Sequence, residues 1–150
     1  MKRILIYVAI LAAVLVLPTS GIDVAKLQPV QTIAVYREEE NWTIKTDTDD
    51  IGSGISVEAA FDNLIETTPA IIYLDTADFV VVQENAVEAI EVLRSKLKGS
   101  VALFAFKGDP DLKTVSKYLS VHGKKTMLKN WNETEKLPML DCTTTRYLLL

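Results

Sequence analysis

Residues 79–106 read FVVVQENAVEAIEVLRSKLKGSVALFAF, and the fold class turns on how this stretch is parsed. Phe79-Val80-Val81-Val82 is a continuous apolar run too short for a helix, and Val101–Phe106 is a second. Between them, Val87, Ile90, Leu93 and Leu97 recur at spacings of three, three and four, which predicts a helix over Glu84–Lys98. Glu84 and Glu88 stand at its start and Lys96 and Lys98 at its end, the charge order that suits a helix dipole. Gly99 is the expected C′ residue. Strands alternating with helices point to a layered α/β domain, and the continuous runs at Ile71 and Val101 are those expected for strands covered on both faces.

Working outward supports the same class. Ala70–Leu74 is another apolar run, expected as a buried strand. The polar Asp75-Thr76-Ala77-Asp78 either interrupts one long strand or forms a turn between two short ones. Ser56 is a favourable N-cap for a helix carrying Val57, Ala60, Phe61 and Leu64 on one stripe, and Pro69 ends it. Val30–Arg37 and Asn41–Asp47 read as strands joined by the charged turn Glu38–Asn41, with Trp42 and Ile44 on one face and Thr43 and Lys45 on the other. Asp47–Gly54 is expected as a polar loop. Towards the C-terminus, Asp109 as N-cap and Pro110 at N1 open a helix with Leu112, Val115 and Leu119 buried, and Gly123 follows it. Lys124–Leu150 is weakly patterned, with Arg146–Leu150 a terminal strand. The expected architecture is α/β near the α+β boundary: a mixed sheet with a leading antiparallel hairpin and three helices packed on it.

An N-terminal segment precedes this domain. Lys2-Arg3 is followed by fourteen apolar residues, Ile4–Leu17, and then by Pro18-Thr19-Ser20-Gly21. A positive start, an apolar stretch and a small-residue exit form the layout of a secretory signal. As a helix the run reaches about 21 Å, short of a ~30 Å hydrocarbon core. Residues 1–21 are therefore expected as a signal peptide or membrane anchor, and 22–150 as a single globular extracytoplasmic domain. Without Lys2 and Arg3, 14 basic side chains face 20 acidic ones, a net charge of −6. A domain of this size buries roughly two-thirds of its unfolded surface, sufficient without disulfides.

Composition narrows the chemistry. The 150 residues are 49% hydrophobic with 6 Gly and 5 Pro, which excludes disordered and collagenous classes. One cysteine excludes a disulfide framework and multi-cysteine metal sites, and one histidine excludes most histidine-based ones. A net charge of −4 speaks against nucleic acid as a partner. Asp47-Thr48-Asp49-Asp50-Ile51-Gly52 with Glu58 matches a calcium-loop pattern at positions one, three, six and twelve. It fails at the fifth, where Ile51 offers no oxygen, so a polar turn feeding a capped helix is expected. Asp75 and Asp78, at strand ends, are the candidate acid/base or Mg²⁺-binding pair, with turn-building as the bland alternative. Lys107-Gly108-Asp109-Pro110 fills a strand-to-helix loop but lacks any phosphate-binding motif. His122 reads as a helix-end residue, and Cys142 has only Arg146 as a positive neighbour. These residues compose no catalytic, cofactor or metal site.

Residues 21–122 resemble the N-terminal domain of the Ger(x)C spore-germination proteins, the C subunits of germinant receptors. The match runs through Gly21-Ile22-Asp23 with Lys26-Leu27, where Asp23 and Leu27 agree with the family. It continues through Gly54-Ile55-Ser56-Val57-Glu58-Ala59-Ala60-Phe61 and through Ile72-Tyr73-Leu74-Asp75-Thr76-Ala77-Asp78-Phe79-Val80-Val81-Val82. Gly21 stands where the family has its lipid-bearing cysteine, and the family's further domains have no counterpart in the sequence. The resemblance implies a membrane-proximal, non-enzymatic assembly module of a spore-forming bacterium, partnered by a membrane or envelope protein. The alternatives are a small secreted enzyme using Asp75 and Asp78, or a calcium-responsive module using the Asp47–Glu58 loop.

Overall fold

The computed structural model describes residues 24–122, 126–143 and 148–149. The apolar run Ile4–Leu17 and Gly123 lie outside them. Seven strands form one mixed sheet: β2 (Thr32–Glu38), β3 (Asn41–Thr46), β4 (Ile51–Gly54), β6 (Phe79–Gln83), β7 (Ala102–Gly108), β8 (Met139–Cys142) and β9 (Leu148–Leu149). Their spatial order is β4-β3-β2-β6-β7-β8-β9. The central strands β2, β6, β7 and β8 are parallel, and β3, β4 and β9 extend the sheet antiparallel. A separate two-stranded parallel sheet pairs β1 (Leu27–Pro29) with β5 (Ile71–Tyr73). The helices are α1 (Val57–Thr67), α2 (Ile90–Lys96) and α3 (Leu112–His122). Among the described residues no helix is long and apolar enough to cross a membrane.

Alternation along the strands sorts the apolar residues into two cores. Ile33 and Val35, Val80 and Val82, and Val101 and Leu103 face α1 and α2, where they meet Phe61, Leu64, Ile90 and Leu93. Ala34 and Tyr36, Phe79 and Val81, and Phe104 and Phe106 face the other way, against Leu112, Val115 and Leu119 of α3. The sheet is thus the middle of three layers, and β6 and β7 are buried on both faces. This is as expected for the Val101 run but is not met by the Ile71 run, which lies half exposed outside this sheet.

Local chemistry explains the element ends. Ser56 caps α1, its hydroxyl accepting the Ala59 N–H at 3.1 Å. Gly52 and Gly54 let α1 lie directly on β4: a Cβ on Gly52 would stand 2.2 Å from the Ala60 carbonyl oxygen. Four expectations change. The last residues of the expected Asp47–Gly54 loop form edge strand β4, because glycine-rich sequence hides a pairing that the helix contact enforces. Ile71–Tyr73 is a strand, but it leaves the main sheet and is half exposed; two short strands flank the turn Leu74–Thr76. The helix over Glu84–Lys98 begins as a 3-10 segment, Glu84–Ala89, bent at Ala86 (φ −114°), and ends before Gly99 because Leu97 turns extended to bury its side chain. α3 starts at Leu112, two residues beyond the expected Pro110 start. Asp111, not Asp109, takes the capping role: the Thr114 hydroxyl and the N–H groups of Lys113 and Thr114 hold its carboxyl below the usual range.

Candidate functional site

In open sheets with parallel strands, ligands gather at the carboxyl ends of those strands. Here the carboxyl ends of β2, β6 and β7 bring Arg37, Gln83, Lys107 and Gly108 together. The Gln83 side-chain carbonyl accepts the Arg37 N–H at 2.9 Å, and the Asn85 amide donates to the Arg37 carbonyl at 3.3 Å. The Arg37 guanidinium pairs with Glu88 and stands 5.2 Å over the Trp42 ring. These contacts fix the 3-10 segment Glu84–Ala89 at the sheet's rim.

That segment forms one wall of a groove of about 740 Å³ on the face that carries α1 and α2. The other wall is the strip 131–139, and Val87, Trp131, Leu137 and Met139 make its apolar lining. Trp131 is nearly buried, and its indole N–H donates to the Glu135 carbonyl at 3.0 Å. Arg94 of α2 clamps the strip: it donates to the carbonyls of Leu128 and Trp131, pairs with Glu91 at 2.7 Å, and lies 5.8 Å over the Trp131 ring. Glu84, Glu133, Glu135 and Lys136 form the groove's polar edge. A rigid aromatic wall locked by hydrogen bonding suits binding, since little ordering is left for a ligand to impose. Reading the sequence missed this site because Lys124–Leu150 shows no period; the tryptophan inside a polar stretch is its only signal there.

The opposite face holds a second polar cluster. The Tyr36 hydroxyl donates to Asp109 at 3.4 Å, Lys45 stands 4.7 Å over the Tyr36 ring and 3.9 Å from Asp109, and Phe106 meets Tyr36 edge-on at 5.0 Å. Burial, then the Asp109 carboxylate, pushes the Tyr36 phenol well above its ordinary range. Cys142 is half-buried nearby, and burial together with Asp141 and Asp109 pushes its thiol up to about 11. A thiol so placed stays protonated at neutral pH and is a poor nucleophile.

The sequence-derived candidates fall elsewhere. Asp47, Asp49 and Asp50 lie in the turn between β3 and β4, each with an internal task. Asp47 accepts the Gln31 N–H at 3.1 Å, Asp49 pairs with Lys113, and Asp50 accepts from Gln28 at 2.6 Å and Thr48 at 2.7 Å. Glu58 lies beyond β4, exposed in the first turn of α1. Asp75 and Asp78 sit at the amino end of β6, opposite the groove's end of the sheet. Asp78 pairs with Lys98 at 3.5 Å, and Thr76 between the two clasps the Val30 backbone. His122 occupies the last turn of α3, its ring 4.9 Å from Tyr118. Asp109 of the Lys107–Pro110 loop is committed to Tyr36 and Lys45. Among the described residues no group of three or more His, Cys, Asp or Glu is placed to hold a metal ion. Compared with protein-family models, curated proteins and solved structures, the chain matches none of them.

Proposed function

We propose that the chain is a non-enzymatic, extracytoplasmic binding or assembly module, held at the membrane or released from it by residues 1–21. The observation that carries the binding role is the groove between residues 84–89 and 131–139, an open apolar lining beside the carboxyl ends of parallel strands. Concave sites of about 300–1,000 Å³ with mostly apolar walls and a few convergent polar groups are where proteins take ligands. The extracytoplasmic placement is supported by Lys2-Arg3 and the uninterrupted Ile4–Leu17 run. The resemblance of residues 21–122 to spore-germination receptor C subunits supports a membrane or envelope protein as the partner.

The test compares the full chain with one beginning at Ile22. The full chain, with residues 1–21 attached, is expected to partition with membranes. The shortened chain is expected to be soluble and monodisperse and to melt cooperatively, because the strands and helices after residue 30 carry apolar stripes of their own. Aggregation or a non-cooperative melt of the shortened chain would make Ile4–Leu17 part of the core and defeat the proposal.

A further inference from the structure

The groove is one of three hollows that share lining residues along one rim of the molecule. Glu84 belongs both to the 740 Å³ groove and to a hollow of about 320 Å³ bounded by Gln83, Phe106 and Lys107. Val87, Trp131 and Glu133 belong both to the groove and to a third hollow of about 350 Å³ that reaches Glu88 and Glu91. A site drawn out in this way suits an extended chain better than one compact small molecule.

Its charge selects the chain's character. Of the five carboxylates along the three hollows, Glu88 and Glu91 are already paired, with Arg37 and Arg94. Glu84, Glu133 and Glu135 are exposed and form no ion pair among the described residues. Lys136 on the groove and Lys107 at the first hollow are the opposing cations there, while Lys124 and Lys125, next in sequence to Thr126 on the groove wall, lie outside the described residues. Among the described residues the central groove thus presents three carboxylates outside any ion pair against one lysine, around an apolar lining.

We infer that the groove receives an extended, cationic segment of a partner protein, in which lysine or arginine side chains alternate with large apolar ones. The inference deepens the binding role proposed above and rests on it. Side chains of an extended peptide point alternately to opposite sides, so apolar residues enter between Val87, Trp131 and Leu137 while the cations between them meet the carboxylate rim. The acidic rim also repels acidic segments and anionic lipid, so charge supplies the selectivity.

The test uses the full chain in non-ionic detergent micelles, with Trp42→Phe so that Trp131 alone reports. The probes are capped hexapeptides of alternating Leu-Lys, Leu-Glu and Gly-Lys, and the polyamine spermidine. The Leu-Lys peptide is expected to shift Trp131 emission, with salt-sensitive affinity. The combined Glu84→Gln, Glu133→Gln and Glu135→Gln variant, whose changes are all on exposed side chains, keeps its melting midpoint but binds that peptide about tenfold more weakly. The Leu-Glu and Gly-Lys peptides and spermidine are expected to leave the emission unchanged. Equal affinity of the variant, equal binding of the Leu-Glu peptide, displacement by spermidine, or no binding of the Leu-Lys peptide (as follows if Lys124 and Lys125 neutralise the rim) would each overturn the inference. None of these results moves the full chain out of the membrane fraction, so the occupant fails separately from the module.

Discussion

The Thr76 hydroxyl accepts the N–H of fully buried Val30 at 3.0 Å and donates towards the Tyr73 carbonyl at 2.7 Å. Asp75 and Asp78 flank it, and the sequence offers them as a candidate pair with turn-building as the alternative, while nothing in it singles out the threonine. A hydroxyl that joins a backbone N–H 46 residues away to a carbonyl three residues back leaves no sequence signal, whereas a pair of aspartates does. Thr76→Val keeps the shape but strands the Val30 N–H, so the urea unfolding free energy is expected to fall by about 1–3 kcal/mol. Asp78→Asn removes only an exposed pair with Lys98, and is expected to change stability by less than about 1 kcal/mol. At Cys142 the folded chain favours the protonated thiol, whose value rises from 9.0 to about 11. The associated stability is complete below pH 9 and is lost as pH climbs from there to 11. Alkylation by iodoacetamide at pH 7.5 should then run about a hundredfold slower in the folded chain than in urea. Equal rates would show that burial, Asp141 and Asp109 do not hold the thiol protonated.

At the scale of elements, legibility followed burial. β6 and β7 were readable because both faces of each are apolar, and α1 because Ser56, Val57, Phe61 and Leu64 combine a cap with a stripe. The hairpin β2–β3 was readable from Trp42 and Ile44, which are buried while Thr43 and Lys45 are not. β8 was not, since Leu140 is its only fully buried residue and its pairing with β7 comes from a strand more than thirty residues upstream. The groove was illegible for the same reason: Val87 and Trp131 line it together through contacts distant in sequence, the pairing of β8 with β7 and the Arg94 bond to the Trp131 carbonyl. β4 hides in Ile51-Gly52-Ser53-Gly54, whose glycines answer to the helix above them and not to the sheet. Gly52→Ala tests that contact. Its added methyl meets the Ala60 carbonyl and Leu64, so α1 must shift, and the unfolding free energy is expected to drop by about 3 kcal/mol. An unchanged denaturation midpoint would mean that α1 does not rest on β4.

For the whole molecule, the described residues that form the two cores and line the groove run from Val30 onward, and the Lys2–Leu17 segment has the sequence layout suited to export. A three-layer domain carrying an acidic, apolar-lined groove and preceded by such a segment is suited to meeting a partner at the outer face of a membrane. The proposed extracytoplasmic placement would give the groove access to that partner, and this proposal is the central claim. Its most direct measurement is protease accessibility of the full chain expressed in a bacterial host. After the outer envelope is opened and the inner membrane left intact, the account predicts that added protease degrades the chain while a cytoplasmic control protein survives. Protection of the chain until the inner membrane is lysed would contradict it.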